Sequence, residues 1–148
     1  MQNYDEVIAV LNRAVEIEHT LMMQCQHQAL TVRGLWRTQF QGFFRELSDE
    51  AREHAAKFGQ KIVGLGGDPT TEVGTIRHAS DVFEMLEADL ELERQALRIY
   101  SEALALAEDN VALRNMLEDH IESETQHIEE LELVASKQAT TATLRKVS

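Results

Sequence analysis

The segment LEDHIESETQHIEELEL, at residues 117–133, carries a carboxylate and an imidazole at a spacing that can hold a metal ion. Glu124 and His127 are three residues apart, and residues at this spacing share one face of an α-helix. Their side chains can offer an oxygen and a nitrogen to one point, which suits a borderline transition metal. Because an acidic helix contains Glu-x-x-His by chance, a metal site also needs ligands from other helices.

The apolar residues predict four helices that can supply such ligands. They recur at steps of three and four residues, the period of an amphipathic helix. The predicted helices run from Tyr4 to about Arg33, from Leu35–Trp36 to about Gly64, from about Ser80 to Ala107, and from Val111 to about Ala135. One proline and seven glycines in 148 residues favour this interpretation. We therefore predict an all-α domain over residues 1–135 and a polar tail over residues 136–148.

The segment GLGGDPTTEVGTIRHAS separates the second and third predicted helices and has no helical period. It contains four of the seven glycines and the single proline, so we predict a connection over residues 65–79. Fifteen extended residues reach about 50 Å, and a helix of about 29 residues is roughly 43 Å long. The connection can therefore cross the full length of a bundle, which makes the second and third helices parallel. The short link at Gly34 instead predicts antiparallel neighbours.

Each predicted helix carries a residue that can bind a metal on its apolar stripe, near mid-length. These residues are Glu18, His54, Glu93, and Glu124 with His127. A buried carboxylate without a partner is costly or becomes neutral, and a cation at the centre of the bundle would satisfy all three carboxylates. A single inward Glu or His is more often an ordinary core residue, so the metal prediction depends on the whole set. His120 is equally well explained as a core histidine or as a residue that orients a ligand.

Composition and charge exclude several classes of partner. The net charge of −12 argues against nucleic-acid binding and favours cations. No stretch approaches the roughly 20 apolar residues of a membrane span, and the first residues do not resemble a secretory signal. The single cysteine, Cys25, excludes an intrachain disulfide and is compatible with a reducing compartment. We therefore expect a cytoplasmic protein that binds neither nucleic acid nor membrane.

Over about Tyr4 to Val134 the sequence resembles the bacterioferritins and, more broadly, the ferritin-like di-iron superfamily. The resemblance is carried by VLNRAVEIE, SDEAREHAAKFGQKIVGLGGDP, EMLEADLELE and Glu124-x-x-His127. It implies a ferritin-like antiparallel four-helix bundle with one long crossover between the second and third helices. It also implies a di-iron centre, with Glu18 and Glu124 at the reacting metals and O₂ or peroxide as oxidant. Finally, it implies a homo-oligomer, at least a dimer.

The sequence departs from the family in its second helix. The family has a bridging glutamate three residues before the histidine, whereas this chain has Ala51 before His54. Glu50 is a possible replacement, although it lies about 100° around the helix from Ala51, and its role stays open. Arg52 stands where the resemblance implies a haem-ligating methionine, so we predict no haem. Cys25 stands where the family has a tyrosine.

Three classes of function remain open from the sequence. The first is Fe²⁺ oxidation and storage, with metal ligands Glu18, Glu50, His54, Glu93, Glu124 and His127. The second is a rubrerythrin-like di-iron enzyme that reduces peroxide. The third is a bundle that has lost this chemistry and serves as a binding or scaffold protein, which Ala51 makes credible. Iron is the predicted metal, but sites of this composition also accept Mn²⁺ or Zn²⁺.

Overall fold

The computed structural model of this protein describes residues 4–136. Within them the chain forms four α-helices and one short 3₁₀ turn: α1 (Asp5–Thr31), the turn Gly34–Trp36, α2 (Arg37–Gly64), α3 (Val82–Leu106) and α4 (Val111–Ala135). These residues contain no strand, which confirms the all-α fold class. None of the helices in this part of the chain is long and apolar enough to cross a membrane. The predicted tail lies, apart from Ser136, outside the described residues.

Two apolar clusters, one at each end of the bundle, define the directions of the helices. One cluster joins the starts of α1 and α4 to the ends of α2 and α3, through Val7, Leu113, Ile62 and Ala103. The other joins the ends of α1 and α4 to the starts of α2 and α3, through Ala29, Leu131, Phe44 and Leu86. Helices α1 and α4 therefore run in one direction and α2 and α3 in the other. This confirms the predicted ferritin-like bundle, with parallel helices on either side of the long crossover.

The crossover, residues 65–81, is hydrogen-bonded to the side of α1. The backbone N–H groups of Thr70, Gly74 and Arg77 donate, in this order, to the side chains of Asn12, Thr20 and Gln24, at 2.8, 2.8 and 3.0 Å. Asn12 also donates through Nδ2 to the Asp68 carbonyl at 3.1 Å. The backbone N–H and C=O groups of an irregular segment do not pair regularly with one another and need other hydrogen-bond partners. These α1 side chains supply partners for it and set its path.

The link between α1 and α2 differs from the prediction in one detail. Gly34 has a φ of +79°, a conformation that glycine adopts without steric cost. The second helix was expected to begin at Leu35–Trp36, but the chain first makes a 3₁₀ turn there and α2 begins at Arg37. The Arg37 guanidinium donates to the carbonyls of Leu30 and Val32, at 3.1 and 2.8 Å. It thereby caps the end of α1, whose last carbonyls have no helical partner.

The start of α3 depends on one capping residue. The Asp81 side chain accepts hydrogen bonds from the backbone N–H groups of Phe83 and Glu84, at 2.9 and 3.0 Å. Aspartate is favoured at this position because it satisfies the free N–H groups of the first turn. The third helix therefore begins at Val82, and Ser80 lies outside it.

Replacement of Asn12 by alanine tests the attachment of the crossover. Asn12→Ala removes two hydrogen bonds to the crossover backbone, so we expect the free energy of unfolding to fall by about 1–3 kcal/mol. Chemical denaturation followed by circular dichroism measures the change. Asn115→Ala, on the exposed face of α4, is the matched control and should leave stability almost unchanged. Equal stability of the two variants would show that the crossover does not need Asn12.

Candidate metal centre

The bundle brings the five inward ligand candidates together at its middle. One ligand atom from each of Glu18, His54 and Glu124 lies within 4.8 Å of the others, and the same holds for Glu93, Glu124 and His127. Glu124 belongs to both groups. Side chains from all four helices therefore form two adjoining sets of possible ligands that share one carboxylate.

Glu18 is held in place by two neighbours. Its side chain is 1% exposed, and the Tyr100 hydroxyl of α3 donates a hydrogen bond to its Oε1. His54 Nδ1 lies 3.6 Å from the same oxygen. The Tyr100 ring packs against Phe58 with 5.0 Å between the ring centroids, which fixes its hydroxyl beside Glu18. Burial, and then the charge and hydrogen bond of Glu18, raise the pKa of Tyr100 well above its ordinary value, so the phenol keeps its proton.

Glu124 is the least satisfied polar group of the centre. Its side chain is buried, and within the described residues neither of its carboxylate oxygens has a hydrogen-bond partner. Burial raises the pKa of Glu124 to about 9, and the charges of Glu18 and Glu50 act in the same direction. A buried carboxylate without donors requires either a proton or a cation. The residues present therefore fit a pair of divalent metal ions that share this carboxylate.

Ala51 and Glu50 show what replaces the missing bridging position. Ala51 is buried and packs with Leu21 and Cys25 in a small apolar cluster. Glu50 Oε2 instead lies 3.4 Å from His127 Nε2, and its side chain is 44% exposed. Ala51 takes the inward-facing position of α2, and the Glu50 side chain beside it is long enough to reach the edge of the centre. Among the described residues it belongs to neither three-residue group.

Three histidine rings lie side by side between α2 and α4. The ring centroids of His54 and His120 are 5.1 Å apart, and those of His54 and His127 are 6.4 Å apart. His120 Nδ1 is 2.8 Å from the Met116 carbonyl, which can only accept, so this nitrogen carries the proton. Burial lowers the pKa of His120. Burial also disfavours the charged form of His54, but the hydrogen bond and charge of Glu18 outweigh it and raise the pKa.

The centre opens to solvent on the side of His127. The apolar stripe predicted His127 in the core, but the structure places Ile128 there, and the His127 side chain is 29% exposed. A pocket of about 280 Å³ lies against His127 and contains the carboxylates of Glu46, Glu50 and Glu130. An acidic opening of this kind favours the approach of cations.

Comparisons with known proteins agree with this geometry. A family model described as a ferritin-like domain matches residues 8–139. The crystal structure of a ferritin-like, diiron-carboxylate protein from Bacillus anthracis strain Ames has a TM-score of 0.87 and 32% identity, and the match covers 92% of this chain and 100% of that one. A structure of Rhodobacter capsulatus bacterioferritin, described with a metal-free dinuclear site and a haem iron, has a TM-score of 0.79 and 28% identity, covering 90% of this chain and 85% of that one. A bacterioferritin of Desulfovibrio desulfuricans is 25% identical over 134 residues, covering 88% of this chain and 75% of its own length.

The unusual pKa of Glu124 predicts how the stability of the metal-free protein depends on pH. Below about pH 4.5 the carboxyl is protonated in both the folded and the unfolded chain, whereas between that pH and about 9 only the unfolded chain releases the proton. Stability should therefore fall as the pH rises through this window. Glu124→Gln should remove this loss and raise the free energy of unfolding near pH 7 by up to about 3 kcal/mol.

Denaturation of chelator-treated protein at several pH values measures this effect. Glu122→Gln, an exposed change on the same helix, is the control and should keep the pH dependence of the unchanged protein. A Glu124→Gln variant with that same pH dependence would mean that Glu124 is ionised without difficulty in the metal-free bundle.

Proposed function

Because the chain belongs to the family of ferritin-like domains, we propose that it is a di-iron protein that binds two Fe²⁺ ions inside the bundle and oxidises them, in a role of iron oxidation and storage. The observation that carries this proposal is the shared carboxylate of Glu124. Glu124 belongs to both sets of possible ligands, and within the described residues its oxygens have no hydrogen-bond partner. The relatives described as diiron-carboxylate or as having a dinuclear site support the same assignment.

The ligand sets assign a role to each side chain. One ion would be held by Glu18, His54 and Glu124, and the other by Glu93, Glu124 and His127. Iron supplies the one-electron chemistry that amino-acid side chains lack. Three carboxylates give three negative charges against the four positive charges of two Fe²⁺ ions.

Glu50 is the best candidate for the fourth negative charge. Its position beside His127 would make it a ligand of the solvent-facing ion. Glu124 must lose its proton before it can bind a metal, so occupation of the centre should release protons. Tyr100, whose hydroxyl donates to Glu18, would keep that carboxylate oriented through successive turnovers.

The absence of haem, the oligomeric state and the oxidant are proposed from the family resemblance and from single residues. Arg52 lies exposed on α2 in the place of the haem-ligating methionine, so we propose a protein without haem. The chain would act as a homo-oligomer of at least two copies, with O₂ or peroxide as oxidant. Iron is the proposed metal, although Mn²⁺ or Zn²⁺ suits the same ligands. The cytoplasmic location stays a prediction.

One observation favours a second function. The place of the bridging carboxylate is filled by the apolar packing of Ala51 with Leu21 and Cys25. A bundle with this change could bind metal without oxidising it and serve as a binding or scaffold protein. Metal stoichiometry and oxidation rate separate the two functions.

Anaerobic titration with Fe²⁺ tests the proposed function. We expect two ions per chain, followed by a rise in ferric absorbance when O₂ or peroxide is added. Glu124→Gln should abolish the two-ion stoichiometry because it changes a ligand common to both positions, whereas Glu122→Gln should not alter it. Fewer than one ion per chain would reject the di-iron proposal, and two ions that resist oxidation by both reagents would favour the scaffold function.

Replacement of Glu50 tests its role at the solvent-facing position. Glu50→Gln should weaken the binding of one of the two ions by about tenfold, because it removes the charge beside His127 while keeping the shape of the side chain. Glu53→Gln, on the exposed face of the same helix, is the matched control. If the two variants bind Fe²⁺ with equal affinity, Glu50 is a surface residue and not a ligand.

A further inference from the structure

A second group of buried polar side chains lies between α1 and α3, next to the centre but distinct from its five residues. It consists of Asp89 from α3 and of Gln24, Cys25 and Gln28 from α1, all of them buried. Asp89 and Cys25 are each 0% exposed. This is an unusual interior for a helical bundle, because a carboxylate is almost never fully buried without a partner.

The hydrogen bonds in this group leave two oxygens unsatisfied. Gln24 Nε2 donates to Asp89 Oδ1 at 2.9 Å, and Gln28 Nε2 donates to the Met85 carbonyl at 3.3 Å. Gln24 Oε1 accepts from the Arg77 backbone N–H. Within the described residues, Asp89 Oδ2 and Gln28 Oε1 have no hydrogen-bond partner. Both oxygens carry negative or partly negative charge, and both lie out of contact with water.

The Cys25 thiol completes the group. Burial raises the pKa of the Asp89 carboxyl to about 6, while the neighbouring polar side chains of Gln24, Gln28 and Cys25 favour its charged form. Asp89 is therefore mostly ionised at neutral pH. Burial, and then the charge of the nearby Asp89, raise the pKa of Cys25, so the thiol keeps its proton in the metal-free protein. A bound cation would satisfy the carboxylate and displace the thiol proton to solvent, which leaves a thiolate ligand.

We propose that Cys25 Sγ, Asp89 Oδ2 and Gln28 Oε1 form a separate site for one divalent transition-metal ion. One sulfur and two oxygen donors suit a borderline ion such as Zn²⁺ better than the hard ions Mg²⁺ and Ca²⁺. Asp89 lies one helical turn from Glu93 on α3, so the site neighbours the proposed di-iron centre without sharing a ligand with it. The inference does not depend on the proposed oxidation of iron.

The structure also contains a route to this site. A cleft of about 490 Å³ lies between α1, α3 and the crossover, and Gln24 forms part of its wall. Gln24 also donates to Asp89, so its side chain separates the cleft from the buried carboxylate. Glu16 and Glu91 line the same cleft together with Arg13 and Arg77. Arg77 is paired with Glu91 at 3.5 Å, so Glu16 is the carboxylate that can guide a cation inward. A rotation of the Gln24 side chain would open the way for a cation from the cleft to Asp89.

Anaerobic titration of the full reduced chain with Co²⁺ tests the proposal. Coordination of Co²⁺ by a thiolate produces an intense charge-transfer absorption in the near ultraviolet, which oxygen and nitrogen ligands do not produce. Cys25 is the only cysteine in the sequence, so this band in the unchanged protein reports Cys25 alone. We expect the band to appear and to reach the intensity of one thiolate-bound Co²⁺ per chain, in addition to any Co²⁺ bound by the centre. Absence of the band at saturating Co²⁺ would overturn the proposal.

Two variants separate this site from the di-iron centre. Asp89→Asn should lose the band and one bound ion per chain, and it should fold because its amide oxygen can still accept the hydrogen bond from Gln24. Glu124→Gln should keep the band, even if the ions of the centre are lost. The opposite result, a band that survives in Asp89→Asn and disappears in Glu124→Gln, would mean that Cys25 binds an ion of the centre, and the separate site would be wrong. The band thus tests this site whether or not the proposed function holds.

Discussion

The interior of this bundle is organised around a buried carboxylate to which no group of residues 4–136 donates a hydrogen bond. Glu124 lies in a polar layer at mid-length, and apolar clusters fill the bundle on either side of that layer. Those clusters provide the burial that stabilises the fold, and the layer costs stability while its charges are unpaired. All four helices contribute to this layer, so a pair of cations bound there would be held by side chains of the whole bundle. Metal binding and stability are therefore coupled in this architecture.

The two sides of the centre differ in their access to solvent. Tyr100 and its ring contact with Phe58 close the side that contains Glu18. On the other side, Glu50 and His127 border a pocket with further carboxylates. In the proposed function, this asymmetry gives one protected ion and one ion that can exchange with solvent. A protected and an exchangeable position suit a protein that takes up Fe²⁺ and passes on its oxidised product.

The helical period of the apolar residues was sufficient to predict the bundle and the core position of Glu124. A long apolar stripe determines which face of each helix points inward. Features that depend on neighbouring helices were not predictable. The sequence does not indicate which residue a buried tyrosine hydroxyl contacts, so the hydrogen bond from Tyr100 to Glu18 was not predicted. The reach of Glu50 depends on the position of α4. His127 and Ile128 are about 100° apart around α4, and the packing of the neighbouring helices decides that Ile128 faces the core. The hydrogen bonds of the crossover follow no sequence period at all.

The central claim is that carboxylates and imidazoles from four helices bind a pair of iron ions inside one bundle. Anomalous diffraction at the iron absorption edge, from a crystal soaked anaerobically in Fe²⁺, tests it most directly. The account predicts two iron peaks inside each bundle, one beside Glu18 and His54 and one beside Glu93 and His127. Data that place iron only on the outer surface, or show no iron within contact of Glu124, would contradict it.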